Sequence, residues 1–116
     1  MDAHPQKRVL IVEDDLLIAL TLGELVEELG HKVIGPAFTL EEGLAAVGDN
    51  AIDFALLDFD LGSDTDSIPI AQALMLLSVP FVFATGRDPK HMAASFAGHP
   101  VISKPVAPSE LRVAFQ

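Results

Sequence analysis

The 116-residue chain contains no cysteine, and its basic residues are scarce. Without cysteine, disulfides and thiolate metal sites are excluded, which agrees with a reducing cytoplasm. Seven Lys and Arg stand against 17 Asp and Glu, and the net charge of −10 argues against a nucleic-acid-binding surface. No uninterrupted apolar run reaches the length of about 18 residues that a membrane span needs. The length suits one domain with its own hydrophobic core.

Short apolar runs alternate with helical patterns along the chain. The runs predict five strands, at residues 9–12, 32–35, 54–57, 81–84 and 101–103. The segments between and after them predict helices at about 16–29, 39–48, 69–77, 88–98 and 108–116. This alternation predicts an α/β fold, with a parallel sheet covered by helices on both faces.

Two local patterns refine the second and third helices. Thr39 and Glu42 have the spacing of a capping box, which predicts a helix start at this point. Met75, Leu76 and Leu77 belong to a very apolar third helix and are predicted to lie in the core. Any exposed part of that helix would indicate an interface.

Four of the five predicted strands end on polar side chains. Glu13 and Asp14 follow the first strand, Asp58 the third, Thr85 the fourth and Lys104 the fifth. Ligands bind beyond the carboxyl ends of the strands in an open parallel sheet, so we expect these groups to meet. Three carboxylates in one crevice repel each other, and a divalent cation relieves that cost. Mg²⁺ suits such a site best.

Each of these residues alone also has an ordinary structural explanation, since Asp58 could cap a helix and Lys104 could be solvated. Together they fit phosphoryl transfer, which needs charge neutralisation and positioning. A carboxylate can act as the nucleophile, and Asp58 is the candidate. Thr85 offers a hydroxyl and Lys104 a cation to the phosphoryl oxygens.

This set of residues resembles the site of the receiver domains of two-component response regulators, and the resemblance covers residues 9 to about 115. The family implies a flavodoxin-like doubly wound (βα)5 fold with strand order 2-1-3-4-5. It also implies that the chain is no enzyme beyond self-phosphorylation and self-dephosphorylation. The implied roles are phosphoacceptor for Asp58, metal ligand for Glu13, Asp14, Asp58 and the backbone carbonyl of Asp60, and phosphoryl contact for Thr85 and Lys104.

The resemblance implies a histidine kinase or histidine phosphotransfer protein as the phosphodonor, with Mg²⁺ as cofactor. Output through protein–protein contacts in the cytoplasm is expected, without nucleic acid or membrane, and a homodimer remains open. We expect residues 1–116 to form a single receiver domain. Its final helix is short for this fold, so a truncated end or an output domain beyond Gln116 also remains open.

Residues 80–86 read Pro-Phe-Val-Phe-Ala-Thr-Gly and resemble a receiver subclass marked by Pro-Phe-x-Phe-Ala-Thr-Gly. One departure concerns Val101, which occupies a switch position where receivers often carry an aromatic residue. The usual coupling between Thr85 and an aromatic ring is therefore not expected. We expect the loops at residues 62–67 and 86–91 to carry the conformational response instead.

Two other readings remain open. Asp58-x-Asp60 also resembles the nucleophile motif of haloacid dehalogenase-type phosphatases, in which Asp60 would be the general acid. That motif normally opens its fold, whereas Asp58 lies mid-chain, and the chain has no room for a cap domain. The third reading is a receiver-like interaction module that is never phosphorylated.

Overall fold

The computed structural model describes residues 5–62, 64–86 and 100–115. The strands are β1 (Arg8–Val12), β2 (Lys32–Ala37), β3 (Phe54–Asp58), β4 (Phe81–Thr85) and β5 (Val101–Ser103). The helices are α1 (Leu16–Glu28), α2 (Leu40–Asp49), α3 (Ile68–Leu76) and α4 (Pro108–Ala114). The helix predicted at 88–98 lies outside the described residues. The other predicted elements are present, with ends within two residues of the prediction.

All five strands are parallel and lie in the order β2-β1-β3-β4-β5, as predicted for a flavodoxin-like fold. The chain leaves β1 for the edge strand β2 and then returns to the other side of β1 to form β3. This reversal makes β1 and β3 neighbours, with Val12 paired to Leu57. Glu13 and Asp58, the next residue along each strand, are thereby brought to adjacent positions at one edge of the sheet.

The sheet separates two hydrophobic cores. Leu10 and Val12 of β1 face a core completed by α2 and α3. Val9 and Ile11 alternate to the opposite face and pack against α1 and α4. Because the central strands are covered on both faces, their sequences are near-continuous apolar runs, and the polar residue that ends each run marks the edge of the hydrophobic core.

The backbone of β2 and the residues after β5 have two features beyond the predicted strand pattern. The strand β2 continues two residues beyond its predicted end because a bulge lets Ala37 pair with Val12. The peptide bonds Gly35–Pro36 and Lys104–Pro105 are both cis.

The structure confirms one helix prediction and overturns another. The Thr39 hydroxyl accepts a hydrogen bond from the Glu42 backbone at 3.1 Å, and the Glu42 carboxylate accepts one from the Phe38 backbone at 2.8 Å. Met75, Leu76 and Leu77 were predicted to be core residues, and that prediction is wrong, since all three are exposed. The buried stripe of α3 comprises Ile70, Ala71 and Leu74, and the residues at its end are exposed.

None of the four described helices has the length and apolar character needed to cross a bilayer.

Thr39→Ala is expected to lower the free energy of unfolding by about 1 kcal/mol, because the start of α2 loses its cap. Thr21→Ala is the matched control. The Thr21 hydroxyl donates to the Leu17 carbonyl within α1 at 2.9 Å and caps no helix end. Urea denaturation followed by circular dichroism measures both variants, and equal losses would contradict the assignment.

Candidate functional site

The polar residues that end β1, β3, β4 and β5 lie at one edge of the sheet. The backbone N–H of Glu13 donates to the Ala37 carbonyl at 2.9 Å, which fixes the chain where it leaves β1. Asp58 and Thr85 are the last residues of β3 and β4. The Lys104 backbone N–H donates to the Thr85 carbonyl at 2.8 Å, which extends the β4–β5 pairing by one residue.

The side chain of Lys104 joins two of these strand ends. Its Nζ lies 2.5 Å from Glu13 Oε1 and 3.2 Å from Asp58 Oδ1. Sequence reasoning placed Lys104 near Asp58 but did not anticipate its contact with Glu13. Thr85 is buried at the end of the strand that lies between Asp58 and Lys104.

Three carboxylates form a group that could hold a metal ion. Glu13, Asp14 and Asp58 each offer an oxygen, and these oxygens all lie within 4.8 Å of one another. Glu13 is buried, with 1% of its surface exposed, whereas Asp14 is exposed. With all three ionised and Lys104 protonated, two negative charges are unbalanced, and one divalent cation would neutralise them. Oxygen donors with an open, solvated side fit Mg²⁺, which retains several waters.

The cluster perturbs the acidity of two of its members. Burial, reinforced by the hydrogen bond and the charge of Glu13, raises the pKa of Asp58 to about 8, although Lys104 acts in the opposite direction. Burial lowers the pKa of Lys104, but its hydrogen bond to Glu13 and the charges of Asp58 and Glu13 outweigh this effect. The net pKa of Lys104 is raised, so its ammonium group stays protonated.

The loop after Asp58 folds back on itself beside the carboxylates. Asp60 forms an isolated antiparallel bridge with Asp66, and the Leu61 N–H donates to the Thr65 carbonyl at 2.8 Å. Gly62, with φ +82°, lies beside Asp14, because a Cβ there would be in van der Waals contact with Asp14 Oδ2 at 3.4 Å. Sequence reasoning assigned the Asp60 backbone to the metal and Gly62 to a responsive loop, but it did not place Gly62 beside Asp14. An isolated glycine in an acidic loop was the available signal.

The predicted switch position, residue 101, is a valine and therefore contains no aromatic ring. Val101 is half-buried, pairs with Phe83 and packs against the core on the α2–α3 face. An aromatic ring near the site belongs instead to Phe59, which lies edge-to-face with Phe83 at a centroid distance of 5.5 Å. Of the loop at 86–91, only Gly86 is described, so the predicted response of the two loops stays a prediction.

Comparisons with known proteins agree with this architecture. SdrG from Sphingomonas melonis Fr1 is 38% identical, with a TM-score of 0.83, over 94% of this chain and 92% of that chain. The PhyR response regulator REC domain of Erythrobacter litoralis is 29% identical, with a TM-score of 0.82, over 94% and 86% of the respective chains. No protein-family model matches the chain.

A curated relative is considerably longer. The phyllosphere-induced regulator PhyR of Methylorubrum extorquens is 32% identical over 111 residues, which cover 89% of this chain. The chain spans only 40% of the length of that relative.

Without metal, the free energy of unfolding is expected to fall as the pH rises from about 4 to about 8. In this window folded Asp58 retains a proton that the unfolded chain releases, because its pKa is raised from 3.8 to about 8. Asp58→Asn is expected to flatten the decline and to be more stable than the parent protein at pH 8. Denaturation in EDTA at several pH values measures this, and an unchanged slope in the variant would exclude Asp58 as its source.

Proposed function

Because this chain belongs to the family of response regulator receiver domains, we propose that its Asp58 accepts a phosphoryl group from a histidine-bearing protein in a Mg²⁺-dependent reaction. The phosphodonor would be a histidine kinase or a histidine phosphotransfer protein. The phosphorylated domain would then signal through protein–protein contacts. Its only chemistry would be its own phosphorylation and dephosphorylation.

The observation that supports this proposal most strongly is the position of Lys104. Its ammonium group lies against both Glu13 and Asp58, with Thr85 at the end of the strand between. A purely structural ion pair needs one carboxylate, whereas Lys104 contacts two, and a third carboxylate, that of Asp14, has an oxygen within 4.8 Å of theirs. The excess of negative charge is typical of a site that binds a divalent cation.

The proposed reaction assigns one task to each side chain. An oxygen of Asp58 attacks phosphorus, the bond from phosphorus to the donor histidine nitrogen breaks, and the released imidazole takes up a proton from solvent. Lys104 and the Thr85 hydroxyl donate hydrogen bonds to phosphoryl oxygens. Glu13, Asp14, Asp58 and the Asp60 carbonyl would hold Mg²⁺, whose charge offsets that of the transferring group.

The proposal also covers the receiver subclass, the cellular location and the extent of the domain. Residues 80–86 support membership of the Pro-Phe-x-Phe-Ala-Thr-Gly subclass, and the absence of cysteine supports a cytoplasmic location. We assign residues 1–116 to one domain. Since the chain matches only part of its curated relative, the proposal concerns this domain.

Incubation with acetyl phosphate and Mg²⁺ is expected to label the protein stoichiometrically, and Asp58→Asn is expected to abolish labelling. Asp64→Asn is the matched control, since Asp64 is exposed at φ +61° and Asn tolerates the left-handed backbone equally well. Mass spectrometry of the intact protein measures the product. Rapid turnover of varied phosphoesters would favour the phosphatase reading, and no labelling at all would favour an unphosphorylated interaction module.

The start of α1 offers a docking surface for the donor. Leu16, Leu17 and Leu20 are exposed leucines, here termed the α1 leucine patch, and they follow directly after Asp14 and Asp15. Exposed apolar side chains grouped beside a reactive edge indicate a protein partner more readily than a small substrate. We propose that the phosphodonor packs against this patch while its histidine reaches Asp58.

Leu17→Asp is expected to slow phosphoryl transfer from the protein donor by about tenfold or more, because a charge in a packed interface is costly. Labelling by acetyl phosphate should remain unchanged, since a small donor needs no docking surface. Leu76→Asp is the matched control, with 87% of Leu76 exposed against 74% of Leu17, at the opposite end of the sheet. Equal rates for the two variants with the protein donor would contradict the docking site.

A further inference from the structure

We infer that the bulge formed by Gly35 and Pro36 in β2 positions Glu13 for metal binding, which makes Gly35 a positioning residue of the site. This inference rests on the proposed Mg²⁺-dependent function. Neither residue belongs to the group of three carboxylates, and β2 supplies no side chain to that group. Their effect passes through the backbone of β2.

The register between β1 and β2 changes at this point. Leu10 pairs with Ile34, whereas Val12 pairs with Ala37, so two steps along β1 correspond to three along β2. One extra residue is therefore accommodated in β2, as in a β-bulge. The Ala37 carbonyl accepts the hydrogen bond from the Glu13 N–H at 2.9 Å. The bulge thus determines which β2 carbonyl holds the chain where Glu13 begins the site.

The side chain of Glu13 tolerates little displacement. Its Oε1 accepts from Lys104 Nζ at 2.5 Å, and its Oε2 accepts from the Asp15 backbone at 3.2 Å. With 1% of its surface exposed, Glu13 cannot replace a lost contact with bulk water without local opening. A shift of its backbone would therefore alter the distances among the three carboxylates.

Only glycine fits the bulge at position 35. Its φ of +98° lies in the left-handed region, and an added Cβ would lie 2.8 Å from the Ala37 nitrogen and 3.2 Å from the Ile11 carbonyl oxygen. Both are backbone atoms, so neither can rotate away as a side chain could. Any substituent must move the β2 backbone at Ala37 or the end of β1, and both lead to Glu13.

The chain offers a matched control for the backbone strain alone. Gly30, between α1 and β2, has φ +92°, and an added Cβ there would meet nothing within 4 Å. Gly30→Ala therefore adds a methyl group to a left-handed residue without pressing on the site. A purely structural role for Gly35 would reduce stability in both variants and leave the Mg²⁺ affinity of the folded protein unchanged.

Mg²⁺ affinity is measured from amide chemical shifts of the 116-residue protein. Gly35→Ala is expected to weaken Mg²⁺ binding roughly tenfold or more, as loss of a group that orients a metal ligand does, while Gly30→Ala binds like the parent protein. Equal affinities for Gly35→Ala and Gly30→Ala would overturn the inference. Absence of Mg²⁺ binding by the parent protein would overturn the proposed function, and this inference with it.

A double-mutant cycle tests whether Gly35 acts through Glu13. Combined with Glu13→Gln, Gly35→Ala should cause no further loss of affinity, because the ligand it positions is already removed. The same fold-change in affinity in both backgrounds would overturn the inference.

If Gly35→Ala does not fold, Ala37→Gly replaces it, because this substitution loosens the backbone at the accepting carbonyl without adding an atom. Ala37→Gly should then bind Mg²⁺ more weakly than Ala55→Gly, which removes a similarly buried methyl from β3; equal binding would overturn the inference.

Discussion

The ammonium group of Lys104, held between Glu13 and Asp58, is the interaction on which the site depends. Two buried carboxylates on adjacent strands repel each other strongly in a poorly solvated crevice, and one protonated amine offsets part of that cost. The topology explains why a long side chain is needed. The strand β5 neighbours β4 rather than β3, so Lys104 must reach across the end of β4 to contact Asp58.

The two hydrophobic cores make this arrangement rigid. Every residue of β3 and β4 is buried, and alternate side chains of β1 are fixed by helices on opposite faces of the sheet. The packing of the core fixes the positions of the polar groups at the ends of such strands, because the backbone has little freedom to adjust. The site therefore requires few hydrogen bonds of its own. The incomplete charge balance that results is a property suited to ligand binding rather than to stability.

The residues of the cluster could be predicted from the strand ends, because a parallel sheet brings the carboxyl ends of its strands to one edge. Asp58 and Lys104 could be placed together on that ground alone. The strand order followed only from the resemblance to receiver domains. The pairing of Lys104 with Glu13 could not be predicted, since it depends on side-chain distances. The bulge at Gly35 was interpreted as the end of a strand. The exposure of Leu76 could not be predicted either, because it depends on which side of the apolar helix α3 packs against the core.

On the proposed function, the metal and Lys104 share two carboxylates, those of Glu13 and Asp58. Lys104 occupies Glu13 Oε1 and Asp58 Oδ1, and both carboxylates belong to the group that would hold Mg²⁺. A cation that neutralises these oxygens weakens the attraction that retains the ammonium group and leaves its N–H donors available for phosphoryl oxygens. Metal binding and phosphoryl recognition are then coupled through Lys104, and the coupling is reciprocal. Glu13 takes part in this coupling, because its carboxylate contacts Lys104 and also belongs to the group that would hold Mg²⁺.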